Sequence, residues 1–124
     1  MNNAQKKIFV ADDDADILEV IEMILKTDGY TVDVTKNAKE IFTQVQENLP
    51  DLILLDIWMS GVDGREICEQ LKKNELTKNI PVLFISANSN IVDITNEYSA
   101  DGYVRKPFDM AALLKKVKDI INRN

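Results

Sequence analysis

The chain has 124 residues, 45% of them apolar and 29% charged, and a formal net charge of −6. A domain of this length buries roughly 65–70% of its unfolded surface and folds without a disulfide or metal, while its surplus of acids excludes nucleic-acid binding by charge alone, which needs a basic surface. One cysteine, Cys68, and no histidine exclude an internal disulfide, His-based triads and imidazole metal sites, and leave Cys68 as a small core thiol.

In chain order, KIFVA (Lys7–Ala11) is a short apolar strand that ends in Asp12, Asp13 and Asp14. Ile17, Leu18, Ile21, Ile24 and Leu25 then recur at helical spacing, with Gly29 as the left-handed stop. YTVDV, residues 30–34, alternates and is β-branched, which predicts a half-exposed strand. Asn37 and Glu40 have the spacing of a capping box, ahead of a stripe of Ala38, Ile41, Phe42 and Val45. After Pro50, LILL at 52–55 is a continuously apolar strand that delivers Asp56 at its end.

Asp63 and Glu66 repeat the cap spacing, and Ile67, Cys68 and Leu71 supply the next apolar face. Pro81 precedes VLFIS (Val82–Ser86), a second continuous strand. Residues 88–98 form a helix that is weak by propensity. GYV at 102–104 is a short strand, and Met110, Leu113, Leu114, Val117, Ile120 and Ile121 define a closing amphipathic helix. Five strands alternating with five helices predict a doubly wound parallel sheet covered on both faces, a three-layer α/β sandwich. Residues 1–124 read as one domain. No apolar run reaches the ~18 residues of a membrane span and no leader opens the chain, so a cytoplasmic protein is expected.

Ligands of open parallel sheets bind beyond the carboxyl ends of the strands, where the winding reverses. The chain places Asp12 and Asp13, Asp56, Ser86 and Lys106 at those ends. Two carboxylates ~4 Å apart repel by about 4 kcal/mol at an effective dielectric near 20, so the acids need counter-charge. Lys106 brings one positive charge, and Mg2+, which favours hard oxygen ligands, would bring two. A carboxylate beside Mg2+, a lysine and a hydroxyl is arranged to accept a phosphoryl group as an aspartyl phosphate. One equatorial oxygen would meet Lys106, and another the Ser86 hydroxyl and the Ala87 N–H.

The stretches IFVADDD, PDLILLDIWMSGVDG, IPVLFISA and DGYVRKPFD, in that order, resemble the receiver domain of bacterial two-component response regulators, of the single-domain chemotaxis type. The resemblance spans about residues 7–122. It implies a flavodoxin-like sandwich with strand order 2-1-3-4-5. It implies Asp56 as phosphoacceptor, with Mg2+ held by Asp12, Asp13, Asp56 and the backbone carbonyl of Trp58. Ser86 becomes the switch hydroxyl, Lys106 the partner of the phosphoryl oxygens, and Tyr103 the aromatic switch residue. The Lys106–Pro107 bond is expected to be cis. A histidine kinase or phosphotransfer protein would donate the phosphoryl group. A downstream effector protein would read the face made by helix four, strand five and helix five.

Two features depart from the pattern or modulate it, one at Ser60 and one at Trp58 and Asn88. Ser60 stands where the family usually has proline, which predicts a looser loop after Asp56. Trp58 and Asn88, two residues past Asp56 and Ser86, border the path of an attacking water in the family, so a bulky Trp58 is expected to slow hydrolysis of the phosphoryl group.

Competing readings are weaker. A Mg2+-dependent phosphatase with an Asp nucleophile needs a second acid two residues after Asp56, where Trp58 stands. A receiver-like binding module that works without phosphorylation has no use for the full set of acids, lysine and hydroxyl. A flavin carrier would need a Gly/Ser/Thr-rich loop after strand one. A receiver of this length acts by docking on another protein or is one domain of a longer chain.

Overall fold

In the computed structural model, which describes residues 6–59 and 61–123, each run of apolar periodicity becomes one element. These are β1 (Lys7–Ala11), α1 (Ala15–Thr27), β2 (Thr31–Thr35), α2 (Ile41–Asn48), β3 (Leu52–Asp56), α3 (Gly64–Lys73), β6 (Val82–Ser86), α4 (Ile91–Glu97), β7 (Gly102–Arg105) and α5 (Met110–Ile121). Between β3 and α3 lies a small two-stranded ladder, β4 (Trp58–Met59) and β5 (Val62–Asp63).

The large sheet is wholly parallel, in the order β2-β1-β3-β6-β7. Counting only its own strands, this is the expected 2-1-3-4-5. Every residue of β3 and β6 is buried, as strands covered on both faces must be, and each large apolar side chain there contributes roughly 1.5–3 kcal/mol. Alternate residues point to opposite faces. Ile8, Val10, Leu52, Leu54, Leu83 and Ile85 pack against α1 and α5. Phe9, Ile53, Leu55, Val82 and Phe84 pack against α2, α3 and α4. Cys68 is fully buried, and burial pushes its thiol up to about 11.

The caps explain where the helices start. Asp14 caps α1 by accepting from the N–H groups of Asp16 and Ile17, and Gly29, at φ 97°, turns the chain after it. The capping box expected from Asn37 and Glu40 does not close. The Asn37 N–H donates to Thr35 Oγ1 at 3.1 Å, so Glu40 has no donor to meet. Asn37 instead opens a 3-10 turn, Ala38–Glu40, ahead of α2. Asp63 does cap α3, but its second interaction is with the Arg65 guanidinium rather than with Glu66.

Helix α4 is shorter than the 88–98 expected from sequence. The Asn88 side chain accepts from the Asn90 N–H at 2.8 Å, which holds 88–90 in a turn, and Asn90 provides no side-chain cap. Strand β7 runs one residue further than expected because Arg105 pairs with Ser86. Ser60, on which the expected looser loop turns, lies outside the described residues.

Candidate functional site

Register brings the strand ends together. Ala11 pairs with Leu55, Asp56 with Ile85, and Ser86 with Arg105. The residues that follow β1 and β7, Asp12 and Lys106, therefore flank Asp56 at one rim.

Asp12 is wholly buried. Its N–H donates to the Thr35 carbonyl at 3.2 Å, and its Oδ1 accepts from the Asp14 N–H at 2.9 Å. Its Oδ2 accepts no hydrogen bond of good geometry among the described residues, but lies 3.0 Å from Lys106 Nζ. The same ammonium is 3.7 Å from Asp56 Oδ2. Lys106 is anchored through its own N–H, which donates to the Ser86 carbonyl at 2.9 Å. The Lys106–Pro107 peptide bond is cis, as expected.

Carboxylate oxygens of Asp12, Asp13 and Asp56 all lie within 4.8 Å of one another. Burial pushes the Asp56 carboxyl up, the Asp12 charge adds to this, and Lys106 opposes it. The outcome is about 7, far from the usual 3.8. The donor set fits a hard divalent cation. All three groups offer oxygen, and the buried Asp12 Oδ2 is met by the Lys106 ammonium without a well-formed hydrogen bond.

The post-Asp56 ladder bears on the fourth expected ligand. The Gly64 N–H donates to the Ile57 carbonyl. Hydrogen-bonded pairs alternate in an antiparallel ladder, so the facing pair Trp58 and Asp63 falls between them and the Trp58 carbonyl faces out of the ladder. The Trp58 side chain is 54% exposed.

Ser86 is buried at the end of β6, one strand from Asp56, and its Oγ accepts from the Asn88 N–H at 3.0 Å. Ala87 next to it is exposed. Tyr103 lies on the edge strand β7, half-buried, with its ring 5.8 Å from the Arg105 guanidinium and 5.6 Å from Lys116 Nζ. The structure thus brings Asp12, Asp13, Asp56 and Lys106 into one cluster with Ser86 on the next strand, while Tyr103 lies on the edge strand beyond, its ring turned to Arg105 and Lys116.

Two supporting residues escaped sequence reasoning. A Cβ on Gly64 would overlap the Asp56 carbonyl oxygen and sit 3.0 Å from Ile57 Cα and its oxygen. Gly64 is therefore required by close backbone approach and not by an unusual φ. Its only signal was a glycine in the first position of a capped helix. Arg65 is the other: its guanidinium is forked onto Asp63 and lies 4.9 Å from the Trp58 ring centroid. This hydrogen bonding holds the Asp63 carboxyl below its usual range.

A doubly wound sheet with an acid cluster and a lysine at its carboxyl rim defines a class of phosphoryl-controlled signalling domain. The family model described as the response regulator receiver domain matches residues 8–118, and the chain belongs to that family. The chain is 31% identical over 126 residues to the DNA-binding response regulator MtrA of Mycobacterium tuberculosis, covering 100% of this chain and 54% of that protein. It is 34% identical over 119 residues to the response regulator ArlR of Staphylococcus saprophyticus, covering 94% of this chain and 53% of that one. The chain thus spans about half the length of these curated relatives. A solved CheY-like receiver domain protein of Methanospirillum hungatei superposes with a TM-score of 0.87 at 27% identity, over 95% of this chain and 94% of that one.

Proposed function

We propose that the chain is a switch thrown by phosphorylation of Asp56, with a histidine kinase or a phosphotransfer protein as donor. The observation that carries this reading is the convergence of Asp12, Asp13 and Asp56 within 4.8 Å, with Lys106 Nζ 3.0 Å from one and 3.7 Å from another.

An Asp56 carboxylate oxygen attacks phosphorus, an O–P bond forms, the N–P bond of the donor phosphohistidine breaks, and the electron pair leaves with the imidazole. Asp12, Asp13, Asp56 and the Trp58 carbonyl would hold Mg2+, which supplies the positive charge that this transfer of a dianionic group requires. In this reading Lys106 takes a phosphoryl oxygen, which its 3.7 Å approach to Asp56 Oδ2 supports. The Ser86 hydroxyl and the Ala87 N–H meet a further one, the Ser86 O–H proton being free to donate while Oγ accepts from Asn88. Hydrolysis of the acyl phosphate by water resets the switch.

The new charge biases the α4–β7–α5 face between two states, with Tyr103 following Ser86. Helix α4, seven residues long and without a side-chain cap, is a suitable moving part. That face is read by an effector protein. The net charge of −6 speaks against this domain itself holding nucleic acid. Among the described residues no helix is long and apolar enough to cross a membrane, and a cytoplasmic setting accompanies this reading.

The test is to add Mg2+ and a small phosphodonor. Acid-labile label on the chain, absent in Asp56→Asn, is expected, together with a saturable change in Trp58 emission on adding beryllofluoride. Label that persists in Asp56→Asn, or no label at all, overturns the proposal.

A further inference from the structure

Arg65 occupies a position that phosphoryl chemistry at the rim does not use. Its guanidinium is held by Asp63, with Nε 2.9 Å from Oδ1 and Nη2 2.8 Å from Oδ2. It stacks 4.9 Å from the centroid of Trp58 and 5.7 Å from that of Tyr98. Trp58 belongs to the loop that follows Asp56, Asp63 is the N-cap of α3, and Tyr98 is the C-cap of α4. One cation thus spans three elements. Both partners are half-buried, with side chains 26% and 20% exposed, and the forked hydrogen bonds to Asp63 fix the orientation of the guanidinium.

Helix α4 is held to the sheet by Ile91 and Ile94, and Tyr98 also accepts a long contact from Cys68 Sγ at 3.8 Å, but its ends are weakly fixed. It is short, its N-cap Asn90 makes no capping bond, and the chain leaves it through Ser99 at φ 58°. Tyr103, by contrast, has its ring near Arg105 and Lys116, 5.8 and 5.6 Å away, while the ring contacts of Arg65 are with Trp58 and Tyr98. We propose that Arg65 is a positioning residue that ties the post-Asp56 loop to the C-terminal end of α4, giving a second route from Asp56 to α4 besides Ser86 and Tyr103. This rests on Asp56 being the phosphoacceptor. Movement of Trp58 when Asp56 is loaded changes its stacking on Arg65, and with it the hold on Tyr98. Cation–π contacts of this exposure bias an equilibrium roughly two- to fivefold.

The experiment measures amide hydrogen exchange at residues 95–98, with and without Mg2+ and beryllofluoride, in the whole chain. Without ligand, Arg65→Ala is expected to speed exchange there roughly two- to fivefold. Trp58→Ala should do the same, and the double variant no more than either single one. Arg65→Lys, which keeps the cation, should restore part of the protection. With beryllofluoride, the response at 95–98 should shrink in Arg65→Ala while the amides of 86–88 still respond. Additive effects of the two single variants, or an undiminished α4 response in Arg65→Ala, overturn the proposal. A wild-type chain in which beryllofluoride perturbs neither 86–88 nor Trp58 emission refutes the phosphoacceptor reading instead, and the relay falls with it.

Discussion

Lys106 Nζ lies closer to Asp12 than to Asp56, at 3.0 Å against 3.7 Å. The lysine therefore compensates the buried carboxylate of Asp12 first, and Asp56 keeps only a share of that charge. Breaking a buried pair leaves its partner uncompensated, which costs about 3 kcal/mol. Lys106→Met is expected to destabilise the metal-free chain by this order in urea titrations, with Mg2+ recovering more stability in the variant than in the wild type. Equal Mg2+ stabilisation of both proteins would contradict this electrostatic role.

The elevated Asp56 carboxyl makes stability depend on pH. Its value of about 7 in the folded chain exceeds the usual 3.8. The native state thus binds a proton that the unfolded state has released. The neutral group's contribution is fully present below pH 4 and is lost as pH rises through about 7. Asp56→Asn should accordingly stabilise the metal-free chain at pH 8 by on the order of 2–4 kcal/mol, with the gain fading towards pH 4. Thermal melts of both proteins across that range decide the matter; a constant offset would refute it.

Gly64→Ala offers a test with an unusual sign. Alanine in the first turn of a helix ordinarily stabilises. Here its methyl would overlap the Asp56 carbonyl oxygen, which is backbone and cannot swing away. The substitution should lower stability by about 1–3 kcal/mol and slow labelling of Asp56, because relief of the overlap moves the phosphoacceptor's own peptide. A melting temperature at or above the wild-type value would show that the loop yields freely.

Trp58 is large, 54% exposed and two residues past Asp56. If it obstructs the approach of water, Trp58→Ala should shorten the phosphoryl lifetime on Asp56 severalfold, as followed by loss of label after removal of the phosphodonor. An unchanged lifetime removes this role and leaves Trp58 to its contact with Arg65.

Much of the architecture was legible in the residue pattern. Period-3.6 stripes such as Ile17, Leu18, Ile21, Ile24 and Leu25, and unbroken apolar runs such as 52–55, are local consequences of which face must leave water, so helices, strands and layers followed directly. The acids at strand ends were visible for the same reason: Asp12 and Asp56 each interrupt an apolar run where the strand has to stop. Helix starts were less legible because caps compete. Thr35 takes the Asn37 N–H that Glu40 would have needed, and Asn88 spends its side chain on a turn, delaying α4.

By itself, then, the sequence determined the alternation of elements and the supply of acids, lysine and hydroxyl to one end of the sheet, since both depend only on near neighbours along the chain. The tertiary structure alone decided that Lys106 favours Asp12, that burial pushes the Asp56 carboxyl up to about 7, that Gly64 must lack a side chain, and that Arg65 joins Trp58 to Tyr98. Each of these depends on distances of a few ångströms that the folding back of the chain creates, between strands remote in sequence or across the turn after Asp56, and on the desolvation that packing imposes.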